Sequence, residues 1–183
     1  MKPTAQDLKT LQDVAQKLRV DPLWLMAVIN FETAGTWDPK IKNPLSSAMG
    51  LIQFTNATAI SLGYPSAAAL VNQFPTISSQ LKGPVHAYFS KFAPFKTEQD
   101  FYFSVFLPIY RKSPLDTVIF HDRPTSQPAF RKANPGIVTV GDYYTKLKKA
   151  FSKFHPTPAS SAASGGTLVV LMILGVTLYL TRR

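Results

Sequence analysis

The run Leu23-Trp24-Leu25-Met26-Ala27-Val28-Ile29-Asn30-Phe31-Glu32, followed at once by Thr33-Ala34-Gly35, constrains this chain more than any other stretch. As a helix it is apolar around its whole circumference, so other elements must surround it and the domain has to be built about it. Asp21-Pro22 supplies an N-cap and a proline at the first helical position, and Gly35 supplies a stop. Glu32 then sits where a carboxylate is poorly solvated and faces the negative end of the helix dipole. Both effects disfavour the anion and predict a raised pKa, which leaves a protonated acid near neutral pH. A partly buried Glu paired with one of the many cations is the structural alternative.

Elsewhere the pattern is also helical. Thr4 can cap a helix with Leu8, Leu11, Val14, Ala15 and Leu18 on one face, and Thr55 can cap a short helix that Gly63 stops. Further helices are predicted over Ile77 to Phe92, Glu98 to Tyr110 and Asp142 to Phe154. In the last, Tyr144, Leu147, Phe151 and Phe154 face inward and Lys146, Lys148, Lys149 and Lys153 outward. No alternating strand run of any length, no repeat and no glycine-rich phosphate loop is present, so the fold class is mainly α.

The 183 residues suffice for one domain with a core and a small appendage. A net charge of +10 favours polyanions: nucleic acid, anionic lipid, or a cell wall with acidic groups. Nucleic acid is not expected, because the basic residues are not interleaved with an aromatic stacking platform. The lysine face of the last predicted helix suits anionic head groups or the wall, and equally the solvated side of an amphipathic helix. The absence of Cys excludes disulfides and thiolate metal sites, and His86, His121 and His155 match no metal spacing, so no metal and no cofactor are expected.

From Glu32-Thr33-Ala34-Gly35-Thr36-Trp37 the chain runs through Asn43-Pro44-Leu45-Ser46-Ser47-Ala48 to Gly50-Leu51-Ile52-Gln53-Phe54. These segments resemble the lytic transglycosylase (SLT) domain of the lysozyme superfamily, in its phage-type form. There a Glu at the end of a buried helix is joined by a short loop to a Gly-Leu-Met-Gln segment that lines the sugar groove. The likeness extends more weakly to Asn134-Pro135-Gly136-Ile137-Val138-Thr139-Val140-Gly141-Asp142-Tyr143, covering about residues 20 to 150. Thr33 stands where cellular members usually have Ser, Ala34 replaces a Gly, and Ile52 replaces Met. The Tyr-Asn-Ala-Gly segment of cellular enzymes is missing, with Ser104-Val105-Phe106-Leu107-Pro108 in its place. The tyrosine of the catalytic site is therefore open among Tyr88, Tyr102 and Tyr110, and Tyr102 is taken forward as substrate-binding.

The resemblance implies a lysozyme-like domain over residues 1–154 that cleaves the β-1,4 bond between N-acetylmuramic acid and N-acetylglucosamine in peptidoglycan. Glu32 would protonate the bridging oxygen. Ordinary glycosidases add a second carboxylate, but Glu98 is the only other Glu and Asp38 the nearest Asp in sequence. Lytic transglycosylases need one Glu, because it takes back a proton from the substrate's own C6 hydroxyl. Gln53, Asn43 and Ser46 are the residues placed on the sugar, since amide and hydroxyl groups both donate and accept. A peptidoglycan endopeptidase on the same fold and an inactive wall-binding or structural virion protein are the alternatives.

After His155 comes a Pro/Ala/Ser/Gly linker, residues 155–166, and then the apolar stretch Thr167 to Leu180 closed by Thr181-Arg182-Arg183. Residues 167–183 read as a single transmembrane helix with Tyr179 and two arginines at an interface. The opening Met1-Lys2-Pro3-Thr4 runs straight into an amphipathic helix, so no secretory signal is expected. With Lys148, Lys149 and Lys153 before the span and Arg182 and Arg183 after it, the positive-inside rule agrees mildly with a cytoplasmic domain. A wall-cutting enzyme has no substrate on that side of its producer. The location expected is the virion membrane of a phage, with other virion membrane proteins as neighbours and the bacterial inner membrane as the alternative.

Overall fold

The structure, a computed structural model, describes residues 2–121 and 126–152. It is mainly α. Helices α1 (Ala5–Leu18), α2 (Pro22–Glu32), α3 (Asn56–Ser61), α4 (Ala67–Gln73), α5 (Ile77–Gln80), α6 (His86–Ser90), α7 (Glu98–Phe106), α8 (Gln127–Ala133) and α9 (Val140–Ser152) follow one another. A π-helical turn, Leu81–Val85, joins α5 to α6, and a 3-10 turn, Pro108–Tyr110, follows α7. Among the described residues no helix is long and apolar enough to cross a membrane. The linker 155–166 and the expected spanning segment 167–183 lie outside those residues.

Helix α1 forms as its sequence dictates. Thr4 and Asp7 make a reciprocal capping box, and Leu11, Val14, Ala15 and Leu18 are buried. Asp21 caps α2 by accepting from the Leu23 amide at 2.8 Å. Leu25, Ala27, Val28, Ile29 and Asn30 are buried, while Leu23 at the entrance stays 42% exposed. The second half of α2 is thus the enclosed one, with α1, α7 and α9 packed about it. Phe31 meets Phe106 of α7 and Phe151 of α9 edge-to-face, with centroids 5.2 and 5.4 Å apart. Each buried ring of this kind contributes about 1.5–3 kcal/mol through area removed from water.

Three expected elements come out differently. Ile77 to Phe92 is not one helix, because Pro84 has no amide hydrogen and its ring crowds the carbonyl one turn back. The chain instead makes the π turn, with Gly83 at φ −95°, ψ −105° against the Phe74 ring, and α6 stops at Ser90. Glu98 to Tyr110 is cut at Phe106, since Leu107 precedes Pro108 and is held out of the helical region at φ −151°, ψ 73°. The last helix begins earlier, at Val140. Thr139 and Asp142 exchange amide and side-chain hydrogen bonds of 2.8 and 3.1 Å at its start, which hold the Asp142 carboxyl below its ordinary value.

The buried stripe of α9 is Val140, Tyr143, Leu147 and Phe151; Leu147 and Phe151 face inward as expected, Tyr144 is partly buried against the core, and the fully buried tyrosine is Tyr143. Lys146 also departs from the expected outward face, donating to the buried Asn134 Oδ1 at 2.8 Å; burial lowers its pKa. Phe154 and Lys153 lie outside the described residues. The segment before α9 pairs with the chain at Thr117 to Ile119 through Ile119 N–H to Val138 O (2.9 Å) and Val140 N–H to Thr117 O (2.9 Å). Such isolated bridges, with Lys42 to Met49 and Met49 to Phe54, are the β-type pairing among the described residues.

Candidate functional site

Glu32 ends α2 with part of its side chain still open to solvent. Protein atoms crowd the carboxyl, and burial pushes it from its ordinary 4.5 up to about 8. No ion pair or hydrogen bond from the described residues reaches it. The alternative of a Glu neutralised by a nearby cation therefore does not describe this site. At pH 7 a carboxyl with that value is protonated in roughly nine molecules of ten.

The chain after Glu32 is tied down tightly. The Thr33 hydroxyl, wholly buried, donates to Ile29 O at 2.7 Å and accepts from the Trp37 amide at 3.2 Å. Trp37, itself buried, donates from Nε1 to Asn30 Oδ1 at 2.6 Å. Ala34 lies at φ 50° and Gly35 at φ 73°. A hydroxyl after the Glu thus has a structural task, and the alanine sits in a conformation that favours glycine.

Gln53, Asn43 and Ser46 share one knot of backbone. Met49 and Phe54 exchange amide-to-carbonyl bonds of 3.0 and 2.7 Å, Gly50 donates to Ile41 O at 2.9 Å, and Asn43 donates to Ala48 O at 2.9 Å. At the tip Gln53 takes φ 51°. Its Nε2 donates to Gly50 O at 3.1 Å and more weakly to Ile41 O at 3.4 Å, so what Gln53 keeps for a ligand is its carbonyl oxygen. Asn43 Oδ1 accepts from the Leu45 amide at 2.9 Å, which leaves its Nδ2 as a donor. Ser46, exposed, accepts from the Ala48 amide at 3.2 Å and keeps its own O–H.

Tyr102 does not join this group. It is wholly buried, and its hydroxyl donates to Glu98 Oε1 at 3.0 Å. Tyr110 accepts from the Phe120 amide at 2.6 Å. Tyr88 is the one of the three whose hydroxyl feels the charge of Glu32; burial first and that charge second push its pKa up, while its proton is donated to Ser104 O at 2.7 Å. A fourth tyrosine is as informative. Tyr143 is 1% exposed, burial and then Glu32 raise its pKa, and its hydroxyl has no hydrogen-bond partner among the described residues. A buried hydroxyl without a partner carries a cost of about 1–3 kcal/mol. Its only signal in the sequence is its place four residues before Leu147 on the inward stripe of α9, where the expected stripe has Leu147 and Phe151 but Tyr144 in place of Tyr143.

Glu98, Asp38 and Asp100 are each engaged elsewhere. Glu98 accepts from Tyr102 and, at 2.6 Å, from Tyr144, with Lys148 Nζ 3.5 Å away. Asp38 accepts from the Lys40 amide at 2.9 Å within its own loop. Asp100 is 2.8 Å from Arg111 Nε, whose guanidinium also donates to Phe92 O at 2.6 Å and lies over the Phe92 ring at 4.9 Å. No cluster of acidic or imidazole groups able to hold a metal occurs among the described residues.

No family model and no curated protein matches the chain. What the site can do rests on its own chemistry. The chain offers one proton-loaded carboxyl, two tyrosine hydroxyls within reach of its charge, and a separately hydrogen-bonded loop with amide and hydroxyl groups to spare.

Proposed function

We propose that the protein is a peptidoglycan-cleaving glycosidase of the lytic transglycosylase kind, with Glu32 as its single acid and base. The observation that carries this reading is the unpaired, half-buried Glu32 carboxyl raised to about 8 at the end of an enclosed helix. Its proton passes to the oxygen that bridges N-acetylmuramic acid and N-acetylglucosamine, and the C1–O bond breaks with charge left on the sugar ring. The resulting Glu32 carboxylate takes the proton of the C6 hydroxyl, whose oxygen closes on C1 to give the anhydro ring. One group then serves both halves, and it returns to its protonated state for the next cycle.

Support for a one-carboxylate route comes from the commitments of Glu98 and Asp38, which leave neither free to hold an attacking water opposite Glu32. Tyr143 O–H is available to donate to the carboxylate that forms in mid-reaction. Gln53 Oε1, Asn43 Nδ2 and the Ser46 hydroxyl are the groups offered to sugar hydroxyl and acetamido groups. We also propose that the apolar stretch 167–180 holds the enzyme to a bilayer, the virion membrane of a phage, so that it opens the wall locally during genome delivery.

Mass spectrometry of peptidoglycan digested by the wild type and by Glu32→Gln is the test. Anhydromuropeptides from the wild type and none from the variant are expected. Reducing-end sugars would mean hydrolysis, new free amino groups an endopeptidase, and no products a binding protein.

A further inference from the structure

The Gly50–Gln53 turn meets the loop that begins at Glu32 directly at Ile41, whose carbonyl accepts from the Gly50 amide at 2.9 Å, and both segments also reach one further side chain. Gln80, the last residue of α5, is wholly buried. Its Oε1 accepts from the Leu51 amide at 2.9 Å, and its Nε2 donates to Pro39 O and, at 3.1 Å, to Phe74 O. One carboxamide thereby closes contacts 29 and 41 residues apart in sequence. Gly50, at φ 81°, is what lets the turn come so near: a Cβ there would lie 2.8 Å from Gln80 Oε1 and 3.1 Å from Val71 Cγ2.

We propose that Gln80 is the positioning residue that fixes the Gly50–Gln53 turn against the loop following Glu32, and so sets where the sugar bound by Gln53 lies relative to the acid. This rests on the glycosidase reading above. The carboxamide is suited to the task because it offers an acceptor to Leu51 and donors to two carbonyls at once; a carboxylate of the same shape would supply no donor and an apolar side chain would supply neither. Gln80 touches no substrate. It acts through Gln53, so its removal shifts the turn by a fraction of a bond length to an ångström, a displacement that costs up to about a hundredfold in rate.

The test is a double-mutant cycle on peptidoglycan turnover with the full chain. Gln80→Met, of similar length, is expected to lower kcat/KM by about ten- to a hundredfold in the wild-type background and by less than about twofold when Gln53→Ala is already present. It should also speed hydrogen exchange at the Leu51 amide while leaving the Val28 amide unchanged. An equal loss in both backgrounds, no loss in either, or unaltered exchange at Leu51 overturns the proposal and leaves the glycosidase reading standing. A folded wild type without turnover overturns that reading and this proposal with it. If Gln80→Met does not fold, Gly50→Ala presses on the same carboxamide from the turn side, and the same cycle with Gln53→Ala decides.

Discussion

Exchanging Glu32 for Gln should make the protein more stable and inactive at once, and the size of the gain depends on pH in a way the site dictates. Burial lifts the carboxyl from 4.5 to about 8. Between those values the folded chain keeps a proton that the unfolded chain has released, so wild-type stability falls as pH rises from about 4.5 to about 8 and gains no further slope from Glu32 outside that window. At 1.36 kcal/mol for each pH unit the full interval amounts to about 5 kcal/mol. Water reaching the open part of the side chain screens the charge and brings this to about 2–3 kcal/mol. Glutamine has the same shape and does not titrate. Denaturant unfolding of both proteins at about pH 4.5, 6, 7.5 and 9 should therefore show nearly equal stability at the acid end and Glu32→Gln ahead by about 2–3 kcal/mol at the alkaline end. The other carboxyls titrate alike in both chains and cancel in the difference. Peptidoglycan cleavage by the variant should fall by at least about a hundredfold, the lower range for losing a general acid. Parallel stability curves across the whole range would refute the buried, unpaired carboxyl, and a variant that keeps more than a few per cent of the activity would refute its role.

Wild-type cleavage should decline on the alkaline side with a midpoint near 8, and an alkaline limb that is unchanged when ionic strength is raised would agree with burial, not a neighbouring charge, as its cause. Gln53→Ala should lower kcat/KM by about 1–3 kcal/mol in activation free energy, and unchanged turnover would reduce the turn to a structural feature. Tyr143→Phe removes a buried hydroxyl without a partner and should raise the melting temperature slightly while cutting turnover; a loss of stability would show that the hydroxyl has an acceptor after all. Arg111→Met leaves the buried Asp100 without its cation, with the Lys96 amide still donating to it at 3.2 Å, and should destabilise by about 3 kcal/mol in denaturant unfolding, with the alkaline limb of activity in place.

Local signals carried well from sequence to structure. Thr4, Asp21 and Thr55 cap the helices expected of them, because a capping side chain acts on amides two or three residues away. The π turn at Gly83-Pro84 was also written locally, in a proline that the helical period alone passes over. Helices α4 and α8 are short, and α4 shows itself only through Ser66 accepting from the Ala69 amide. Glu32 was legible because burial of a whole helix and the loss of solvation at its end are both properties of a contiguous run. The task of Gln80 was not, since its three partners come from residues 39, 51 and 74 and no pattern in α5 distinguishes it from a surface amide. Tyr88 and Tyr143 approach Glu32 from α6 and α9, and only the packing of three helices brings them together.

Helix α9 lies directly against α2, and its last buried side chain, Phe151, touches Phe31, the neighbour of Glu32. Phe151 also meets Tyr102 at 4.4 Å and Phe106 at 5.8 Å, so the end of α9 is gripped by α2 and α7 together. Among the described residues Phe151 is thus the last buried anchor of the chain before Ser152. Tyr144 and Lys148, both at Glu98, hold the middle of α9 to α7 as well. The C-terminal end of the described chain therefore reports on Glu32 through a single ring contact, so a change in how α9 ends would reach the carboxyl's surroundings by way of Phe31.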